Sequence, residues 1–350
     1  MLYTLKKVFP LGLALMSALP AGASGDEEIP AGEDAAAGQI ARMIEDSVRA
    51  EAKNGQAHRD AHPKAHGCVY AEFRVFADLP EELRAGLFGE ARAYPAWIRF
   101  SNSSGKVQDD SEGDARGMAV KLMGVARSES GTQDFLMINH PVFLVRNAAD
   151  YVEFQKALTG GSPTAFFFPG MNPFNFRLRE LGIANAIRSK TVANLLDARY
   201  WSTTPSRFGG TAMKFSARPC GPASPFTETA AKDFLRENLR GHLAERDACF
   251  DFMVQLRKLS SEMPIEDPTV EWSEKDSPFI PVAKITIPAQ NFLSLKQLEF
   301  CENLSFTPWH AIPEHQPLGG INRVRKTVYD TVSRLRHELN GVERREPAGL

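Results

Sequence analysis

An excess of charge of either sign is what this sequence most plainly lacks. Its 41 Lys and Arg stand against 43 Asp and Glu, a net charge of −2. No basic surplus exists to neutralise a phosphate backbone, so nucleic acid is not expected as a partner. Cysteine is scarce, with four copies at Cys68, Cys220, Cys249 and Cys301. None stands at C-x-x-C spacing, which argues against a zinc or iron–sulfur centre. In an oxidising compartment the four allow two disulfides in three connectivities, and buried free thiols are an equally open reading. No apolar run reaches the ~20 residues of a spanning helix, so no stable membrane anchor is expected. There is no internal repeat and no evident linker.

The first residues have the order of a secretory signal. Lys6 and Lys7 open it, the apolar run Val8 to Leu19 follows, and Ala21-Gly22-Ala23 supplies a small-x-small cleavage site. Residues 1–23 are therefore expected to be a signal peptide, and the mature chain to be periplasmic or secreted. Residues 24–58 read as a lead, polar over 25–36, and then a helix with Ile40, Met43, Ile44 and Val48 on one face. Residues 59–340 read as one domain and 341–350 as a polar tail.

Within that domain the hydrophobic period is mostly two. Val69, Ala71, Phe73 and Val75 alternate with polar neighbours, and Trp97 to Ser101 places Arg99 and Ser101 on one strand face. Strands are also expected over Arg116–Met123, Asp134–Val145, Thr211–Ala217, Phe250–Leu256 and Phe279–Ile287. Helices are expected over Asp150–Leu158 and about Arg177–Leu196, with a loop from Gly160 to Phe176 between them. The fold class is α+β, with an antiparallel barrel or sandwich carrying helical insertions. Phenylalanine is frequent, at 23 copies. It suits a well-packed β-rich core or a pocket for a large flat apolar ligand.

The final helix, from Leu318, has Ile321, Val324, Val328, Val332, Leu335 and Leu339 as its core stripe. Beside that stripe, Arg325, Tyr329 and Arg336 fall within about 40° of one another at 100° per residue. Arg-x-x-x-Tyr is by itself a weak pattern. Its chemical interest is that arginine lowers the cost of a phenolate, a hard anionic ligand suited to ferric iron.

Other segments stand in a telling order: Arg59-x-x-His62-x-Lys64, Arg99-Phe-Ser101, Asp114-x-Arg116-Gly-Met-Ala-Val-Lys121, Pro141-Val-Phe143, Pro281-Val-Ala-Lys284, Glu302-Asn-Leu-Ser-Phe-Thr-Pro308 and Arg325-x-x-x-Tyr329. In this order and spacing the chain resembles the haem catalase family from about Arg59 to Arg336. The resemblance implies a catalase-like antiparallel barrel with a C-terminal haem-ligating helix, haem b as cofactor, and a small peroxide as substrate. The electron donor and the oligomeric state stay open. His62 matches the distal acid/base and Ser101 the serine that orients it. Arg59, Arg99 and Arg336 match arginines that hold haem propionates, and Phe143 and Tyr151 aromatics around the haem. Tyr329 matches the proximal iron ligand, which is tyrosine in that family, and Arg325 its partner. His66 is the competing distal histidine, and its spacing favours a structural or surface role.

The pattern departs from the family at the distal site. Aligned on Pro141, Ile138 takes the position of the family's catalytic asparagine, and Asn139 follows one place later. Asn139 reaches the site only if a bulge restores it; on that condition it is the third catalytic candidate. Pro63 replaces a small residue, and the stretch into the next strand is one residue longer. The expected activity is peroxide decomposition on hydrogen peroxide or organic hydroperoxides. The alternatives are a lipid hydroperoxide isomerase or lyase on the same scaffold, or a haem binder without turnover.

Overall fold

The computed structural model describes residues 27–53, 55–344 and 346. The expected signal segment, residues 1–23, lies outside them. Among the described residues nine strands form: β1 Ala65–Val75, β2 Ala93–Asn102, β3 Arg116–Met123, β4 Thr132–Ile138, β5 Tyr200–Trp201, β6 Ser206–Phe208, β7 Thr211–Pro219, β8 Ala248–Leu256 and β9 Ile280–Ile287. They run antiparallel in the order β5-β4-β3-β2-β1-β9-β8-β7, and the pairing of β5 with β7 closes them into an eight-stranded barrel. Short β6 pairs with β7 outside that ring. Closure leaves the main strands with both neighbours satisfied.

The period-two pattern decides what faces inward. Val69, Ala71, Phe73 and Val75 of β1 are buried, as are Tyr94, Ala96, Ile98 and Phe100 of β2 and Met118, Val120 and Leu122 of β3. The barrel interior centres on phenylalanine, with Phe252 at 4.7 Å from Phe135 and 5.0 Å from Phe73 between ring centroids. Each such ring contributes about 1.5–3 kcal/mol by burial. Part of the phenylalanine excess is therefore ordinary core.

Among the described residues, seven α-helices accompany the barrel: α1 Glu33–Ala52, α2 Ala148–Thr159, α3 Thr164–Phe167, α4 Leu178–Arg188, α5 Phe234–Leu243, α6 Leu295–Asn303 and α7 Gly320–Asn340. Helices α1, α2 and α7 share a core of Ile40, Ile44, Val48, Val152, Val324, Val328 and Leu335.

Several expected boundaries shift. The lead expected over 25–36 is already helical at Glu33, where the Glu33 carboxylate pairs with Arg323. β4 stops at Ile138, because the chain turns through the Pro141 region to reach α2 instead of continuing to Val145. The helix expected over 177–196 ends at Arg188. On α7, Leu339 is 42% exposed, and the last turns bury Leu335, Arg336 and His337 instead. Helices α5 and α6 lie outside the elements expected from the sequence.

Candidate active site

The opposite, outward face of the same strands carries the polar candidates. Pairing aligns Ser101 with Gly117 and Gly117 with Ile138, and Ile138 with Trp201. Directly opposed residues share a face, so these four form one row across β2, β3, β4 and β5. A second row holds Cys68, Arg99, Ala119 and Leu136.

His62 lies on the segment entering β1, with φ +61°. Its Nδ1 is 2.9 Å from Ser101 Oγ, and its carbonyl accepts from Arg99 Nη2 at 2.8 Å. Gly117 makes room for it: a Cβ there would stand 2.7 Å from His62 Nδ1 and 2.8 Å from Ser101 Oγ. The strand pairing shifts register between Ala65 and Gly67, where the chain enters β1. Burial and the charges of Arg99, Arg325 and Arg59 push the imidazole down to about 3, against a hydrogen bond to the Asn102 backbone. His62 is thus a neutral base across the physiological range. His66 is buried, with its Nε2 2.7 Å from Asn102 Oδ1, a structural position.

Asn139 is committed elsewhere. Its N–H donates to the Arg116 carbonyl at 2.9 Å, and its Oδ1 accepts the Arg116 N–H at 2.8 Å. The bulge that would bring it into the row does not form, and Ile138 holds that position. The expectation of a distal Asn139 is corrected accordingly.

Three arginines converge on one carboxylate. Arg59 Nη1 lies 3.0 Å from Glu302 Oε2, and Arg336 Nη1 lies 2.9 Å from Glu302 Oε1. Arg99 is buried beside them, and its Nε has no hydrogen-bond partner among the described residues. Burial and the neighbouring Arg59 charge pull both Arg99 and Arg336 down to about 10. The cluster carries three positive charges against one negative. Sequence reading found the arginines but missed Glu302 as their centre, although it stands in the Glu302–Pro308 motif.

On α7, the Arg325 guanidinium sits 5.7 Å from the Tyr329 ring centre and 5.6 Å from that of Phe143. Arg325 Nη1 is 3.3 Å from Asn322 Oδ1. Phe143 meets Tyr151 edge-on at 6.0 Å. Burial, with the charges of Asp60 and Tyr329, pushes the Tyr151 phenol up. Asp60, between Arg59 and His62 in sequence, is itself raised to about 6 by burial and by Glu51. Phe166 and Phe167 pack with Phe154 and Val145 as a separate core.

No group of three or more His, Cys, Asp or Glu able to hold a metal occurs among the described residues. The residues fit haem: two buried propionates would balance the surplus of two positive charges and offer an acceptor to Arg99 Nε. Tyr329 would hold its iron, and His62 would handle protons beside it.

An eight-stranded antiparallel barrel with a histidine, an arginine cluster and a helical tyrosine outside it defines a catalase-type scaffold. The catalase family model matches residues 42–176. The chain is 24% identical over 286 residues to a catalase of an Onchocerca volvulus endobacterium and 25% identical over 281 residues to catalase A of Pseudomonas putida. Each alignment covers 73% of this chain and 56% of the relative, so the chain spans about half the length of these relatives. A fungal catalase structure superposes with TM-score 0.66 at 17% identity, over 83% of this chain and 62% of that one. Catalase A from Saccharomyces cerevisiae gives 0.65 at 17%, over 84% and 66%. The fold is the catalase fold, and over residues 42–176 the sequence is similar to the catalase family.

Proposed function

We propose that this chain binds haem b against the outer face of its barrel and decomposes hydroperoxides, with His62 as distal acid/base and Tyr329 as iron ligand. The observation that carries the reading is the shared face: a Ser101-held, neutral His62 beside three arginines and a single carboxylate. Haem supplies, when bound, the redox centre at which the peroxide oxygen–oxygen bond is cleaved. The chain's part is proton handling and binding. With Nδ1–H donating to Ser101 Oγ, Nε2 is left unprotonated. It takes the proton of one peroxide oxygen and returns it to the other, which leaves as water or an alcohol. Arg59, Arg99 and Arg336 hold the propionates. Phe143 and Tyr151 bound the ring, and Arg325 stands beside the Tyr329 ring. Export to the periplasm or medium is part of the proposal, resting on the signal pattern at residues 1–23.

The optical spectrum of purified, haem-supplemented protein tests this. A Soret band is expected, and Tyr329→Phe should remove the phenolate-to-iron signature and weaken haem retention. An unchanged spectrum in that variant would overturn the ligand assignment.

A second reading of the substrate follows from the row Ser101–Gly117–Ile138–Trp201, whose far half is apolar. It favours organic hydroperoxides over hydrogen peroxide. Comparing kcat/KM for cumene hydroperoxide and hydrogen peroxide, with oxygen evolution measured in parallel, decides it. Vigorous oxygen evolution with no organic turnover would refute the apolar preference.

A further inference from the structure

Cys220 and Cys249 are joined as a disulfide between the ends of β7 and β8. The other two cysteines are free, both buried, and in contact with each other. Cys68 lies on the outward face of β1, directly opposite Arg99. Cys301 is the residue before Glu302 on α6. They share a small cluster with Leu304, flanked by Trp97, Phe300 and Phe306. Helix α6 is tied to β1 at this point, since Gln297 Nε2 donates to the Cys68 carbonyl at 2.8 Å. Arg59 Nη2 also donates to the carbonyls of Leu304, at 2.7 Å, and Cys301, at 3.4 Å. The thiol pair therefore joins the strand that faces Arg99 to the helix that carries Glu302.

We infer that Cys68 and Cys301 form a second redox centre, a dithiol that a hydroperoxide oxidises to a disulfide clamping α6 onto β1. The two sulfurs are not equivalent. Burial raises the Cys68 thiol, and its hydrogen bond with Cys301 raises it further. Burial also pushes Cys301 up, but the Cys68 hydrogen bond and the charges of Arg99 and Arg59 outweigh it and hold Cys301 below the ordinary thiol. Cys301 is then the attacking thiolate and Cys68 the resolving thiol.

The chemistry closes without another reagent. The Cys301 thiolate displaces an alkoxide from ROOH, or hydroxide from hydrogen peroxide, and becomes a sulfenic acid; the leaving oxygen takes a proton. The Cys68 sulfur attacks that sulfenic sulfur, the S–S bond forms and water leaves. In sum, two thiols and ROOH give a disulfide, ROH and water, with two electrons passing from sulfur to the peroxide. Because Glu302 follows Cys301 and engages Arg59 and Arg336, the disulfide fixes that carboxylate within the arginine cluster. That this cluster is a propionate site rests on the proposed haem function. The thiol chemistry does not.

The test uses the full chain, reduced, desalted and exposed to hydrogen peroxide generated steadily by glucose oxidase. It is then denatured, alkylated and mapped by peptide mass. Wild type should lose alkylation at both residues and yield a Cys68–Cys301 cross-linked peptide, with the melting temperature raised by several degrees. Cys68→Ser should accumulate dimedone-reactive sulfenic acid at Cys301. Full alkylation of both thiols after peroxide, over-oxidation of Cys301 without a cross-link, or sulfenic acid absent from Cys301 in Cys68→Ser would each overturn the inference. A missing Soret band together with a normal cross-link would count against the haem function alone.

Discussion

Replacing Gly117 by alanine tests the distal assignment without touching any group proposed to do chemistry. The added methyl would stand 2.7 Å from His62 Nδ1, where ordinary contact begins at 3.4 Å, so the imidazole must retreat by about 0.7 Å. Ser101 Oγ, which the methyl would meet at 2.8 Å, must retreat as well; with both displaced, the Nδ1–Oγ separation of 2.9 Å stretches to about 3.6 Å, which is no longer a hydrogen bond. Displacement of a catalytic group by about 1 Å costs on the order of 100-fold in rate, and such overpacking costs about 1–3 kcal/mol of stability. Gly117→Ala should therefore lose roughly 30- to 100-fold in kcat/KM for hydroperoxide while the Soret band and the Tyr329 signature persist, because the proximal helix is untouched. Ser101→Ala removes the same hydrogen bond without the clash, so the double variant should fall short of the product of the two single losses. Gly182→Ala, where a Cβ meets nothing within 4 Å, is the control and should be silent. Haem-loaded Gly117→Ala protein with wild-type turnover would refute the placement of His62 as acid/base.

Two further outcomes follow from the charges. Burial would raise the Glu302 carboxyl, but Arg59, Arg99 and Arg336 hold it below its ordinary range. Glu302→Gln leaves three guanidinium charges uncompensated and should cost the haem-free protein about 2–3 kcal/mol, read from a denaturant midpoint. Added haem b should recover more of that loss than it adds to wild type. Acid should also destabilise the chain. Burial lowers His62 to about 3 and His66, His140 and His315 to about 4. Their folded pKa values lie below the unfolded 6.5, so from pH 6.5 down towards 4 the unfolded state takes up protons that the native state refuses. Stability is full above 6.5 and falls by on the order of 1.4 kcal/mol per pH unit for each such proton. Asp60, raised to about 6, opposes this with a single group in the same window. A melting temperature flat from pH 6.5 to 4.5 would contradict the neutral burial of these histidines.

Strand periodicity was the most legible feature. Alternation located the long barrel strands and put Arg99 and Ser101 on one face, because burial on one side of a pleat writes itself into every second residue. β5 and β6 were not legible: with two and three residues they hold too few alternations to register, and β5 forms because it closes the barrel. Helix α6 escaped for a different reason. Helix α6 exposes Leu295 and buries only Cys301, so its apolar face is nearly blank. Within the site, His62, Ser101, Arg59, Arg99, Arg336 and Tyr329 came from spacing and family resemblance. Glu302 did not, because a carboxylate among arginines declares itself only when segments more than 200 residues apart in sequence, such as Arg59 and Glu302, are brought to 3.0 Å.

The same alternation explains why distal chemistry can change in this chain without loss of fold. Inward residues of β2, β3 and β4 belong to the phenylalanine-centred core, where a lost ring costs about 3–5 kcal/mol. Outward residues on the same strands, Ser101, Gly117 and Ile138, lie over the site. A substitution in that outer row alters what His62 faces while the inner packing stays intact. Position 138 shows the consequence. Its neighbour Asn139 carries a side chain able to bind a peroxide, yet one step along a pleated strand has spent that side chain on the Arg116 backbone. Register therefore decides the polarity of this row. Its polar half is Ser101 and the space that Gly117 leaves for His62; its other half, Ile138 and Trp201, would offer van der Waals contact to the alkyl group of the proposed organic hydroperoxide.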